Sequence, residues 1–408
     1  MLDPARIREA SALLSERFPP TPLLRSEQLS RLTGAEVFLK LENLQRTGSF
    51  KVRGAFYKLW RSRGEVGPKG VVAASAGNHA QGVALAAREQ GIPSTVIMPE
   101  GSSISKQVAT RDYGARVILH GRTVAEALDK ARGMADQGYL FLHPFDDEDV
   151  IAGQATVGVE ILGQIDGLDE VWVPVGGGGL AAGVAAAVKA RLPDVRVVGV
   201  QSGACPSAWE ALARGRPVEV SAGRSIADGI LVPRIGDRPF GILRELMAEV
   251  LLADESQIAM AVVTLLEKKK LLAEGAGAVP VAALLGAPPD RVRGRRIVLV
   301  VSGGNVDLNV LDRILEQGLM RTGRIFRFQV VLDDVPGALG SLLAVVSGQK
   351  ANILHIFHDR LSLDLPLGRT RVEVAVETRG PDHIDELSRA LRNAGFPARP
   401  SQRLETGD

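Results

Sequence analysis

Between Val37 and Val301 the chain repeats one pattern: a short β-branched apolar run, a bend of glycine, serine or asparagine, then an alanine-rich stretch of helical periodicity. Parallel neighbours need a crossover of a dozen or more residues, and a helix supplies it, so this pattern dictates an α/β unit with a mostly parallel sheet under covering helices. Strands are expected at Val37 to Leu41, Val71 to Ala74, Thr95 to Met98, Arg116 to Leu119, Glu170 to Val175, Val195 to Val200 and Ile297 to Val301. Each is short and apolar and is bounded by Gly, Pro or polar residues, as expected of strands covered on both faces. Ala80 to Gln90 and Leu180 to Leu192 read as helices between them.

The character changes after Leu319. Arg321-Thr322-Gly323-Arg324 separates the α/β region from a strand-rich tail, in which strands are expected at Phe326 to Leu332, Asn352 to His358 and Thr370 to Thr378. Helices are expected at Ala338 to Ser347 and His383 to Ala394. The order βαββα, with room for a last short strand near Ala398, predicts a ferredoxin-like α+β unit. A chain of 408 residues with 45% hydrophobic and 24% charged residues is long and apolar enough for more than one buried core. The expected division is residues 1–320 and 325–402.

Several function classes are disfavoured. The formal charge is only +2 and basic residues alternate with acidic ones, so there is no electrostatic footprint for nucleic acid. Cys205 is the single cysteine, which precludes an internal disulfide or a thiolate metal cage, and no metal is expected. The amphipathic start through Phe18 lacks the basic and apolar regions of a secretory signal, and the richest apolar run, Leu271 to Pro289, is broken by Glu274, glycines and prolines. A cytoplasmic protein that acts on a small molecule, away from membranes, is the expectation.

Four strand-end segments carry chemistry. In Ser49-Phe50-Lys51-Val52-Arg53-Gly54, Lys51 is expected near a helix N-terminus at the carboxyl end of the sheet, where ligand crevices form and where an amine can be held neutral for imine chemistry. A lysine taken alone is most often a solvated surface residue, so its neighbours must decide. Ser75-Ala76-Gly77-Asn78-His79 joins a strand to a helix and exposes backbone amides suited to a carboxylate. His79 is read there equally well as a helix-start residue satisfied by nearby backbone. Gly176-Gly177-Gly178-Gly179-Leu180 lies between an apolar strand and a helix and offers bare amides to a phosphate. It also fits a dinucleotide fingerprint, but the next strand ends Gly199-Val200-Gln201 where a nicotinamide enzyme wants an acid for the ribose. Ser302-Gly303-Gly304-Asn305 could be an ordinary turn; four such loops in one α/β unit can converge on one crevice.

These segments in this order, together with Pro20-Thr21-Pro22-Leu23, Lys40-Leu41-Glu42-Asn43-Leu44-Gln45 and His143-Pro144-Phe145-Asp146, resemble the threonine dehydratases of the fold-type II pyridoxal-phosphate enzymes. The likeness covers about Arg6 to Leu319. The tail, with Asp334-Val335-Pro336-Gly337-Ala338-Leu339, looks like an ACT regulatory domain.

The resemblance implies a two-lobed catalytic domain with a smaller lobe at about 50–145. It implies covalent attachment of pyridoxal 5'-phosphate at Lys51, ring packing by Phe50, Asn78 on the cofactor's phenolic oxygen, Gly176, Gly177, Gly178, Gly179 and Leu180 on its phosphate, and Ser302 at its ring nitrogen. The backbone of Ser75, Ala76, Gly77, Asn78 and His79 would receive the substrate carboxylate. The implied reaction is dehydration and deamination of L-threonine to 2-oxobutanoate and ammonia, with secondary action on L-serine giving pyruvate. The tail would bind isoleucine or valine in a homotetramer or homodimer, in a biosynthetic or a catabolic setting. Serine racemases are similar but usually carry a second serine where this chain has Ala76, which cannot transfer a proton. Serine dehydratase, racemase, threonine synthase and a non-catalytic amino-acid sensor remain alternatives at this stage.

Overall fold

The computed structural model describes residues 2–360 and 364–401, so residue 402, the end of the expected tail domain, lies outside the described residues. The chain divides into two compact units, Met1–Leu311 and Asp312–Asp408. Among the described residues, fourteen strands form three sheets. In the first unit they are β1 (Leu23–Arg25), β2 (Glu36–Leu41), β3 (Val71–Ala74), β4 (Ser94–Met98), β5 (Arg116–Leu119), β6 (Leu140–Phe141), β7 (Glu170–Pro174), β8 (Arg196–Ser202), β9 (Glu249–Ala253) and β10 (Arg296–Val301). The second unit holds β11 (Ile325–Asp333), β12 (Asn352–Asp359), β13 (Arg369–Glu377) and β14 (Arg399–Pro400).

The first unit is two-lobed. Its larger sheet runs β1-β2-β10-β7-β8-β9 and is parallel apart from β1, and its smaller sheet runs β5-β4-β3-β6, parallel throughout. Sequence periodicity located seven of these strands. It missed β1 and β6, which at two or three residues are too short to show alternation, and β9, whose Glu-Val-Leu-Leu-Ala is composed mostly of good helix formers. β9 is a strand because it adds to the open edge of β8, a tertiary event.

Three helices meet around Lys51 at backbone contact distance. A Cβ on Gly153, in the long helix Glu148–Gln164, would fall 2.6 Å from the Cα of Gly54 in the helix Lys51–Arg61. A Cβ on Gly82, in the helix Asn78–Glu89, would fall 2.9 Å from the carbonyl carbon of Lys51. Larger residues at either position would push the lysine's helix away from the sheet ends.

A buried ion network locks the same helix. Arg53 is 1% exposed and places its fork on both oxygens of Glu42 at 2.8 and 2.9 Å, while its other nitrogen reaches Glu160 at 2.5 Å. Lys40, itself fully buried, donates to Glu160 at 2.5 Å and to Gln164 and the Thr21 carbonyl. The guanidinium holds the Glu42 carboxyl below the usual carboxylate range despite complete burial.

The second unit is an antiparallel sheet in the order β12-β13-β11-β14 with the helices Ala338–Gly348 and Pro381–Asn393. Phe328, Val330, Val374, Leu342 and Leu387 lie in a core of its own. His383, Leu387 and Leu391 recur at helical spacing as the buried stripe of the second helix. Among the described residues no helix is long and apolar enough to cross a membrane.

Replacing Arg53 with alanine would strand the Glu42 carboxylate in the interior, at a cost of about 3–5 kcal/mol. Thermal unfolding of Arg53→Ala should begin well below that of the parent chain; an unchanged midpoint would show that the network carries no stability.

Candidate active site

Lys51 opens its helix directly after β2, a short 3-10 turn and the segment Gln45–Phe50. Its backbone environment is tied to the turn after β10: Phe50 N–H donates to Ser302 O at 3.2 Å, Gly304 N–H donates to Gly48 O at 2.9 Å, and Ser49 bridges Gly303. The loop that carries the amine and the loop that carries Ser302 are therefore one backbone-bonded layer. The Ser302 side chain is 3% exposed.

The Lys51 amine is held close to protein on several sides. It donates to Pro144 O at 3.4 Å and lies 5.1 Å from the centre of the Phe50 ring. Burial pushes its pKa down to about 8, and the buried carboxyl of Glu274 pulls in the opposite direction. At pH 7 about a tenth of such amines are neutral, against roughly one in three thousand for an ordinary lysine. That neutral fraction is what nucleophilic addition or proton abstraction needs.

The loop after β3 enters the same crevice. Gly77 N–H donates to the Ser75 hydroxyl at 3.1 Å, and the helix starting at Asn78 presents first-turn amides that have no intrahelical acceptor. Ala76 supplies only a methyl group on this loop. His79 is 4% exposed and its Nε2 meets the Leu142 carbonyl at 3.2 Å; because a carbonyl only accepts, Nε2 carries the proton and donates. Burial, and secondarily Lys51, push the imidazole down to about 3, so it is neutral and serves to anchor the helix start.

The segment His143–Asp146 closes the crevice against the glycine loop. His143 Nδ1 accepts from the N–H groups of Phe145 and Asp146 at 3.3 and 2.8 Å, and burial pushes that ring down to about 4. The Phe145 ring occupies the space beside Gly177, where an added Cβ would come within 2.3 Å of it, and a Cβ on Gly179 would lie 3.0 Å from the same residue. Gly178 has φ +94, a backbone conformation natural only to glycine, and caps the helix Gly179–Arg191. Gly176 lies against Ile230, and Leu180 is 5% exposed in the first turn of that helix. Bare amides at a helix start, free of side-chain bulk, make an anion cradle.

The segments around Lys51, Asn78 and Ser302–Asn305 are thus hydrogen-bonded to one another, and the glycine loop joins them through Pro144 and Phe145. Sequence reasoning assigned no role to Pro144 and Phe145, which wall the amine and the glycine loop, or to Asn305 and Glu274. The signal for Glu274 was its isolation as an acid in an apolar run. It is 5% exposed and accepts from Asn78 Nδ2 at 2.6 Å, and burial and then Asp228 push it up to about 8. Among the described residues, no group of three His, Cys, Asp or Glu side chains could hold a metal ion.

A family model described as "Pyridoxal-phosphate dependent enzyme" matches residues 14–303. The chain is 46% identical over 397 residues to an L-threonine ammonia-lyase of Geobacter sulfurreducens, covering 97% of this chain and 98% of that one. Among solved structures it is similar to the processed form of threonine deaminase isoform 2 from Solanum lycopersicum, with TM-score 0.73 and 34% identity, covering 78% of this chain and 90% of that one. It is also similar to maize serine racemase, with TM-score 0.73 and 31% identity, covering 78% and 98%.

Because the reactive form of Lys51 is the neutral amine, the rate at which pyridoxal phosphate reconstitutes the apoprotein should rise about tenfold per pH unit between pH 6 and 7.5 and level off above about pH 8. Stopped-flow visible absorbance measures it; a rate that climbs unchanged through pH 10 would mean an ordinary, solvated lysine.

Proposed function

The chain belongs to the family of pyridoxal-phosphate dependent enzymes, and on that premise we propose that its reaction is that of the L-threonine ammonia-lyases, converting L-threonine to 2-oxobutanoate and ammonia. The cofactor is pyridoxal 5'-phosphate, and the fold is the two-lobed fold-type II architecture followed by a ferredoxin-like unit. The single observation that carries the reading is the Lys51 amine, lowered to about 8 by burial and bonded only at 3.4 Å to Pro144 O, whose neighbour Phe145 packs on the tetraglycine loop.

The residues present fit the cofactor. Phe145 and Pro239 pack so close to Gly177 and Gly178 that no side chain fits there and the loop's backbone stays bare, the Lys51 amine makes no carboxylate hydrogen bond, and the neighbouring Ser49 hydroxyl is buried with no protein partner. In this reading Lys51 would hold the cofactor by its aldehyde carbon, Phe50 would pack on the ring, Asn78 would meet the phenolic oxygen, Gly176, Gly177, Gly178, Gly179 and Leu180 would hold the phosphate, and Ser302 would face the ring nitrogen. When bound, the cofactor supplies an electron-accepting ring that lowers the cost of losing the substrate's Cα proton.

The chain's own residues do the rest. Ser75, Ala76, Gly77, Asn78 and His79 receive the substrate carboxylate on backbone amides at the helix start. Lys51 Nζ, freed when the substrate amine takes its place and with its pKa lowered by burial, takes the Cα proton in its neutral form. A serine at position 302 does not enforce protonation of the ring nitrogen as a carboxylate would, which suits an elimination whose electron pair departs with the β-hydroxyl. Ala76 offers no proton on its loop, which disfavours racemisation. Water leaves from threonine, the released enamine takes up water, and ammonia is lost, leaving 2-oxobutanoate.

L-Serine presents the same β-hydroxyl and is the secondary substrate, giving pyruvate. One methyl group in an apolar pocket discriminates by only about 1–3 kcal/mol. We assign residues 1–320 to catalysis and 325–402 to an ACT regulatory domain in a cytoplasmic homotetramer or homodimer, with isoleucine or valine bound near Val335 to Gly340. Two features support this. Val335 is 59% exposed beside Gly337, which starts the helix Ala338–Gly348 in a left-handed conformation, and the edge strand β12 presents Leu354, Ile356 and Phe357 to solvent.

Lys51→Ala should abolish both the visible absorbance of the bound cofactor and turnover, and the parent enzyme should prefer threonine to serine by about 10- to 200-fold in kcat/KM. Unaltered activity in Lys51→Ala, or D-serine as the main product, would overturn the assignment. Truncation after Arg321 should remove inhibition by isoleucine while catalysis persists; identical inhibition curves would exclude the tail as the sensor.

A further inference from the structure

Glu274 stands at the N-cap of the helix Gly275–Gly286, a position where a short polar side chain ordinarily accepts from first-turn amides, yet it makes no such bond. Its side chain turns instead to Asn78, and its backbone N–H donates to Gly303 O at 3.1 Å. Space for that turn exists only because residue 303 is glycine: a Cβ there would sit 2.3 Å from Glu274 Oε1 and 3.1 Å from Asn78 Nδ2.

The contact closes a relay whose sense is set by one backbone carbonyl. Thr47 O can only accept, so the Asn305 atom at 2.7 Å from it is Nδ2. The same nitrogen donates to Asn78 Oδ1 at 2.8 Å. Asn78 Oδ1 is thereby fixed as an acceptor, its Nδ2 faces Glu274, and Glu274 Oε1 takes one of its two N–H groups at 2.6 Å. The other N–H of Asn78 remains.

We propose that Glu274 is a positioning residue that, by taking one N–H of Asn78, fixes the amide so that the other N–H addresses the ring oxygen of pyridoxal phosphate. The inference rests on the assignment of Asn78 to that oxygen. The acid's electrostatics agree with it. Burial and Asp228 favour its neutral form, whereas the Asn78 hydrogen bond, Lys106 and Lys51 favour ionisation, leaving it near 8. Below that pH it accepts from Asn78 without placing a full negative charge beside the lysine, and above it the charge appears.

The test uses holoenzyme variants and reads cofactor affinity and the pH titration of the visible band. Glu274→Leu, close in size but without an acceptor, should raise the Kd for pyridoxal phosphate about tenfold and displace the band's titration midpoint in the same direction as Asn78→Ala. Glu274→Gln, which keeps an acceptor, should bind within about twofold of the parent. Native affinity and an unshifted band in Glu274→Leu, with both altered in Asn78→Ala, would overturn the role of Glu274 and leave that of Asn78 standing. Native behaviour in both variants would overturn the Asn78 assignment itself. Should Glu274→Leu fail to fold, Glu274→Ala decides: cofactor affinity and a spectral titration identical to the parent's would refute the proposal.

Discussion

A guanidinium that cannot give up its proton lies 1% exposed two residues beyond Lys51, and the arrangement of the crevice follows from where that charge is satisfied. Arg53 draws Glu42 from the turn after β2 and Glu160 from the long helix, and Lys40 shares Glu160. Burying such a group is tolerable only when every donor is met, so the network admits one placement of the Lys51 helix and no sliding. The same turn of helix treats its two cations in opposite ways. Arg53 is fully paired, while the Lys51 amine has one long bond to a carbonyl, and a buried amine without a carboxylate is driven toward its neutral form.

Around that amine the loops are fastened chiefly through backbone and amide groups, which bring no additional charge. Ser302 O, Gly48 O, Leu142 O and Thr47 O each take a hydrogen bond from another loop. The two histidines close to Lys51 are both pushed well below their usual range by burial, so neither carries a charge that would compete with the lysine for a proton. Glu274 is the exception that couples to Lys51, each acting on the other's proton affinity. The site so constructed has two groups that change charge near neutral pH, Lys51 and Glu274, among amides and neutral imidazoles.

The second unit encloses its own core of Phe328, Val330, Leu342 and Leu387 under an antiparallel sheet. Strand β12 is an edge of its sheet, as β1, β9, β5 and β6 are of the first unit's sheets.

The sequence by itself determined most of the strands and the chemistry each loop could offer. Strand periodicity, alanine-rich helices and glycine bends are local signals, and they located Val71–Ala74 and Arg116–Leu119 to the residue and the tail's βαββα order with its last strand near Ala398. A lysine, four glycines, an asparagine and a serine at strand ends stated what kinds of group were present. Tertiary structure alone decided which of them touch. Asn78 meets Asn305 across 227 residues and Glu274 across 196, and no spacing rule links such positions. Strand β9 and the turn of Glu274 away from its own helix are likewise results of packing that override local preference. Local backbone energetics specify an element within a few residues of itself, whereas the polarity of a buried relay and the proton affinity of an enclosed amine depend on groups that only folding brings within reach.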